Sequence, residues 1–273
     1  MTISKNKPDW LSMKLTLTDE FKDVKQTLKE LELVTVCEEA HCPNLAECWS
    51  GGTATFMILG DTCTRGCRFC HVKKMIKGKP IDPNEPEKLA EAVKRWKLDY
   101  IVVTSVNRED LPDQGSEHFA KCIRKLKEQD ILVEVLIPDF RGDLACLKRI
   151  VEAKPDVIAH NIETVERLQK NVRDPRANYK QSLSVLENVK RLNPNIYTKS
   201  SIMVGVGETP EEVEQALKDL REKDVDVVTL GQYLRPSEKQ LEVKEYIKPE
   251  KFKEYEKKAI GLGFKYAAAG PFV

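Results

Sequence analysis

The stretch DTCTRGCRFC (residues 61–70) sets three cysteines, Cys63, Cys67 and Cys70, inside eight residues. A structural zinc site takes four protein ligands, usually from paired Cys-x2-Cys units, and no obvious fourth cysteine follows this Cys-x3-Cys-x2-Cys run. Three thiolates on one tight loop suit three corners of a cubane iron–sulfur cluster, whose fourth iron stays free to bind a substrate or cofactor. The residues between them, Thr64, Arg65, Gly66 and Arg68, are not core residues, which argues against a chance cluster of buried thiols.

The loop directly follows an apolar run, TATFMILG (53–60), and five more such runs succeed it: YIVVTSV (100–106), ILVEVLI (131–137), DVIAHNIE (156–163), YTKSSIMVG (197–205) and VDVVTLGQ (225–232). Charged segments of helical period lie around 86–96, 116–128, 143–152, 179–192, 210–222 and 249–261. The start at 210 is marked by Thr209 as cap, Pro210 at the first helical position and Glu212 closing a capping box. Near-continuous apolar strands alternating with helices predict an α/β fold, a parallel sheet covered by helices. Each run ends in polar chemistry: the cysteine loop, TSVNRED, IPDFRGD, HNIET, VGVGE and GQYLRPS. Six strand ends rich in functional side chains favour a partial (β/α)6 barrel with one active site at its C-terminal face. Upstream, Phe21, Val24, Leu28 and Leu31 predict an amphipathic helix over 19–31 behind acidic Asp19 and Glu20. The expected organisation is an N-terminal extension (1–52), the barrel (53–265) and a C-terminal segment (266–273).

The chain has 273 residues, 41% of them hydrophobic, enough for one sizeable core. Lys plus Arg (45) nearly balance Asp plus Glu (44), so charge argues for neither nucleic acid nor a membrane surface. No apolar run reaches a membrane span. The opening MTISKNKPDWLSMK lacks the apolar core of a secretory signal, and a cytoplasmic location is expected. Six of the eight cysteines fall between positions 37 and 70, and in a reducing compartment they read as ligands or free thiols. Cys122 and Cys146 stand alone in helical stretches and read as buried thiols.

A second triad, Cys37, Cys42 and Cys48, lies in CEEAHCPNLAECW (37–49). Zinc with His41 as fourth ligand is one reading, though His41 abuts Cys42 and adjacent residues rarely ligate one metal together; a second iron–sulfur cluster is the other, and it becomes the stronger once the first triad is identified by resemblance. The CTRGCRFC run, with aromatic Phe69 before its last cysteine, resembles the radical S-adenosylmethionine (SAM) superfamily. With both triads, the segments GGTATFMILGDTCTRGCRFCHV, VVTSVNREDLPDQG, PDFRGD, AHNIETV, VRDPRANYKQSL, IMVGVGET, LGQYLRPS and AAAGPF resemble its lipoyl synthase family, from about residue 30 to the end.

The resemblance implies a sulfurtransferase that inserts two sulfur atoms at carbons 6 and 8 of a protein-bound octanoyl-lysine. Unactivated C–H bonds are beyond any side-chain base, so the cofactors must carry the chemistry. Implied are two [4Fe–4S] clusters and SAM: one cluster on Cys63, Cys67 and Cys70 that binds SAM, and an auxiliary one on Cys37, Cys42 and Cys48 that donates sulfur. The implied partners are an octanoylated lipoyl carrier domain or glycine-cleavage H protein, and a one-electron donor such as flavodoxin or ferredoxin. Phe69, Thr104 and Ser105 are expected near SAM, the two hydroxyls at its amino group. Asn161 and Glu163 are expected near its ribose, since a carboxylate accepts from a diol. Gly205 and Gly207 would let backbone approach the adenosyl group. Arg141, Arg173, Arg176 and Arg235 are candidates for the SAM carboxylate or the carrier, and His160 reads as structural. In the family an Arg-Ser-Ser-Tyr segment follows shortly after this Gly-Pro-Phe, its serine ligating the auxiliary cluster. The sequence stops at Val273, so the natural protein is expected to continue; without that serine the auxiliary cluster should be less secure and sulfur insertion poor. Rival functions are a biotin synthase-like or methylthiotransferase enzyme, or a non-catalytic zinc-binding module. Biotin synthases lack the upstream triad, and the basic C-terminal domain of RNA methylthiotransferases is missing. A monomer is expected.

Overall fold

The computed structural model describes residues 8–11, 18–52 and 54–273. Most of the opening peptide and Thr53, the first residue of the first predicted strand, lie outside the described residues. The sheet runs β1 (Thr55–Ile58), β2 (Tyr100–Ser105), β3 (Leu132–Leu136), β4 (Val157–Ala159), β5 (Tyr197–Val204), β6 (Val227–Gln232) and β7 (Tyr266–Gly270). All neighbours are parallel and the spatial order follows the chain. Each right-handed crossover therefore steps the same way and leaves its helix on the same face, so the sheet curls around its uncovered face, as a barrel wall does. A doubly wound sheet would need the order to reverse.

The helices are α1 (Asp19–Glu30), α2 (Val36–Glu39), α3 (Leu45–Ser50), α4 (Glu85–Trp96), α5 (Ser116–Lys127), α6 (Leu144–Glu152), α7 (Gln169–Val172), α8 (Tyr179–Leu192), α9 (Pro210–Glu222) and α10 (Pro249–Gly261). The seven long ones fall where their period predicts. Thr209 and Glu212 close the expected capping box at α9. Along β5, buried Thr198, Ser200, Ile202 and Val204 face the helical layer, and their half-exposed neighbours face the barrel interior.

Six strands are those expected; β7 is a seventh. Its register, Tyr266↔Val227 to Gly270↔Gly231, makes residues 266–270 part of the sheet rather than a separate C-terminal segment. After Tyr266 the run YAAAG holds none of the β-branched or aromatic residues that mark a strand, and it forms one because β6 offers an open edge. The N-terminal extension packs onto the opposite edge. Thr35 bridges Phe56, Met57 N–H donates to Val34 O at 2.8 Å, and Phe21 packs on buried Trp49 with ring centroids 5.3 Å apart.

Candidate active site

Beyond β1 the chain turns through Leu59 (φ 68°) and Gly60 (φ 91°) into the cysteine loop. Thr62–Cys63 then pairs in parallel with Lys73–Lys74, which brings the loop back on itself. Cys63, Cys67 and Cys70 all line one cavity of about 470 Å³. An ionic network fixes the loop. Buried Arg65 holds Asp139, just past β3, through two bonds of 2.6 Å, and its Nε donates to Glu109, past β2, at 2.8 Å. Arg176 joins Glu109 (2.6 Å) to Asp174 (2.8 Å) and donates to Thr64 O (2.7 Å). Asp174 accepts the Gly66 N–H at 2.7 Å, and its own N–H donates to Cys67 Sγ at 3.3 Å. Gln181 adds a third donor to Asp139 at 2.7 Å. Burial alone would raise the Asp139 carboxyl, but Arg65 outweighs it and holds that group at about 2. The same burial pushes the Cys70 thiol to about 12 and the Cys67 thiol upward. These thiols become ligands only against a strong local positive charge, which is what a metal cluster supplies.

The second triad is built differently. Cys37 sits in α2, Cys42 in the following loop and Cys48 in α3. Burial raises all three thiols, and Cys37 and Cys48 each lie near enough to raise Cys42 further. Of the three, Cys42 lines the cavity that holds the first triad. His41 stacks on His71 with centroids 3.8 Å apart, and His71 meets Glu39 O at 3.1 Å, so this histidine pair joins the two cysteine loops. Asn44 Nδ2 donates to Phe272 O at 2.7 Å, which ties the last residues of the chain to the second triad; Pro271, Phe272 and Val273 line the same cavity.

Among the residues singled out from the sequence, Phe69, Thr104, Ser105, Asn161, Glu163 and Arg173 also line it. Thr104 donates its hydroxyl to Leu136 O at 3.1 Å, which leaves its lone pairs to the cavity. Ser105 Oγ and Arg173 Nε are buried without a partner. Glu163 takes a positive φ of 65°, rare for a side-chain-bearing residue. Burial raises its carboxyl against the opposing pull of Arg173 and Asn161. Unpaired acceptors and donors, a buried carboxylate and three free thiols around one cavity are a donor set that fits a cluster with a bound amino acid and ribose. His160 is saturated, by Ile137 O (2.8 Å) and Ser182 Oγ (2.9 Å), and burial holds it neutral with its pKa down at about 4.

Other expected residues lie outside the lining. The N–H groups of Gly205, Val206 and Gly207 are taken by the Glu208 carboxylate at 2.5–3.0 Å, and a Cβ on Gly205 would come 2.4 Å from Glu245 O. Arg141 is exposed on the turn after β3, Arg176 serves the loop network, and Arg235 donates to the Glu238 and Gln240 carbonyls. Sequence reasoning missed Glu109, Asp139 and Asp174. They stand in NRED and PDFRGD, polar stretches at strand ends, and in VRDP, part of a segment quoted for the resemblance, but only the fold shows that their acids converge on Arg65 and Gly66. Cys122 is fully buried, with Glu85 and His118 within ligand distance among the described residues; Glu85 already accepts from His118 (2.6 Å) and Leu59 N–H (3.0 Å).

Fold and site together define a radical SAM enzyme. The radical SAM superfamily model matches residues 57–220, and the model of the N-terminal domain of lipoyl synthase matches residues 2–42. The chain is 56% identical to mitochondrial lipoyl synthase of Drosophila ananassae over 273 aligned positions, 97% of this chain and 73% of that protein. It therefore belongs to the lipoyl synthase family, radical SAM enzymes that insert sulfur, and to a superfamily that uses SAM with a [4Fe–4S] cluster. Among solved structures it resembles methylornithine synthase at TM-score 0.60 and 16% identity, covering 94% of this chain and 75% of that one. It also resembles Streptococcus suis SuiB bound to S-adenosylmethionine, at TM-score 0.62 and 9% identity, covering 83% of this chain and 54% of that one. At such identities these two likenesses speak for the fold alone. The expectation of a cytoplasmic location is overturned: the curated relatives are named mitochondrial, which points to the mitochondrion. Neither a secretory signal nor a membrane span bears on import into that organelle, so their absence from the sequence does not speak against it.

Proposed function

We propose that this chain converts a protein-bound octanoyl-lysine to lipoyl-lysine by adding two sulfur atoms, at carbons 6 and 8. One observation carries the reading: Cys63, Cys67 and Cys70 of the first triad and Cys42 of the second open onto a single cavity, so a hydrogen-abstracting centre and a sulfur source can face one acyl chain. Cys63, Cys67 and Cys70 would hold the SAM-binding cluster, and Cys37, Cys42 and Cys48 the auxiliary one. When bound, the first cluster with SAM supplies a radical able to take hydrogen from an unactivated carbon, and the second supplies sulfur. The chain's own residues bind and orient. Ser105 and Thr104 offer acceptors for an ammonium, Arg173 Nε offers a donor for a carboxylate, and Glu163 offers acceptors for a hydroxyl pair. Apolar Met57, Val106, Met203 and Phe272 line the same space, suiting a hydrocarbon chain and excluding water from it. The expected partners are an octanoylated lipoyl carrier domain or glycine-cleavage H protein and a flavodoxin- or ferredoxin-like electron donor.

The test is iron, sulfide and zinc content after anaerobic reconstitution, with the mass of an octanoyl-lysyl peptide followed under dithionite and SAM. About eight irons per chain and a product carrying two added sulfurs support the proposal. About four irons, or zinc in their place, would refute the second cluster as the sulfur source.

A further inference from the structure

We propose that residues 71–80, HVKKMIKGKP, form a rigid prong that docks an acidic, partly apolar surface of the carrier protein; this rests on the function proposed above. The segment holds four lysines and no acid in a chain whose net charge is only +1. At its tip Ile76 is 95% and Met75 57% exposed. Leaving an isoleucine in water forfeits about 1.5–3 kcal/mol of burial, yet the tip is not a loose end. Lys73–Lys74 pair with Thr62–Cys63, Met75 N–H donates to Cys63 O at 3.0 Å, and Lys74 Nζ donates to Cys67 O at 2.8 Å. Gly78 N–H reaches Asp110 at 3.2 Å, and a Cβ on Gly78 would come 2.5 Å from Arg108 Nε. The cluster loop thus braces the prong, whose base (His71, Val72, Lys74) lines the active-site cavity.

The charge is unspent where the tip is apolar. Lys79 is paired with Asp61 and Lys74 with a carbonyl, whereas Lys73 and Lys77 meet no acid and make no hydrogen bond among the described residues. Two free cations flanking an exposed Met–Ile pair complement an apolar patch with an acidic rim. The protein that presents a lysine arm to this cavity must rest its surface beside the cavity wall, and the prong stands there.

The experiment compares the reconstituted wild type with K73E/K77E and I76D, none of them cavity residues, on two substrates: an octanoylated carrier domain and a free octanoyl-lysyl peptide. Dithionite is the reductant throughout, and carrier binding is measured directly by calorimetry. The expected result is a rise of about tenfold in KM and Kd for the carrier, with unchanged kcat and unchanged peptide turnover. Salt should weaken wild-type binding more than that of K73E/K77E. Unchanged carrier KM and Kd in both variants overturn the proposal. So does an equal loss on the peptide, which would mean a damaged cavity. A loss seen only when a protein donor replaces dithionite would assign the prong to electron transfer, and a change confined to oligomeric state would assign it to a second copy; either overturns it. Failure of the wild type to add sulfur to either substrate would sink the proposed function, while the calorimetric comparison still decides the prong.

Discussion

The two cysteine triads meet at one cavity, the first through all three cysteines and the second through Cys42, but they are supported in opposite ways. The loop of Cys63, Cys67 and Cys70 is gripped at its own buried Arg65 by Asp139 and Glu109, which follow β3 and β2, and at Gly66 and Thr64 by Asp174 and Arg176, which follow α7; all but the exposed Arg176 are largely removed from water. The triad of Cys37, Cys42 and Cys48 rides on two short helices, a histidine stack and one bond to the end of the chain. An ionic grip is directional and costly to deform, and it suits a centre that must return to the same geometry on every turnover. A lightly held triad suits a centre whose content changes during the reaction, as a sulfur donor's does.

The sharpest way to break this comparison is to remove one ligand from each side. Cys67→Ala should abolish reductive SAM cleavage, a loss of at least about a thousandfold, and with it every product. Cys42→Ala should leave SAM cleavage largely intact while sulfur addition disappears. Quantifying 5′-deoxyadenosine beside the thiolated peptide separates the two; equal loss of deoxyadenosine in both variants would show the triads to be one functional unit.

Next comes the grip itself. Asp139→Ala leaves Arg65 buried against Glu109 alone, and losing one partner of a buried pair costs about 3–5 kcal/mol. The expected outcome is a clear drop in melting temperature, with iron lost from the first cluster before the second. The wild type carries a pH signature of the same contact. The Asp139 carboxyl is held at about 2 in the folded state, below the ordinary 3.8, so its contribution is present above about pH 4 and drains away as pH falls toward 2. That component, about 2 kcal/mol, should be missing from the acid-unfolding curve of Asp139→Asn.

Much of this was legible in the sequence. The strand–helix rhythm predicts six of the seven strands and the long helices because periodicity and capping are local signals. Strand β7 is an exception, since Ala267, Ala268 and Ala269 carry no local preference and follow the open edge of β6. At the site, spacing exposes the cysteines, and polar residues at strand ends expose Thr104, Ser105, Asn161 and Glu163. The arginines were opaque for a physical reason. Arg65, expected outside the core, is buried and anchors the loop, while Arg141, Arg176 and Arg235 lie outside the cavity. An arginine's role depends on which acid the fold brings to it. Asp139 lies 74 positions from Arg65.

The weakest expected effect tests the lightly held side. Asn44→Ala removes the 2.7 Å bond to Phe272 O, and that bond is part-buried between uncharged groups, so its net worth is about 1 kcal/mol. Asn44 Oδ1 is buried without a partner, so the substitution also relieves an unsatisfied acceptor, which brings the cost lower still. Global stability should therefore barely move. The change should surface instead in retention of the second cluster, because this bond holds the end of the chain against the loop of Cys42. Iron release to a chelator should quicken for the cluster proposed on Cys37, Cys42 and Cys48 and stay constant for the one proposed on Cys63, Cys67 and Cys70. If both clusters release iron faster, the two loops are mechanically coupled through the stack of His41 on His71, and the contrast between a gripped triad and a free one must give way to a single shared support.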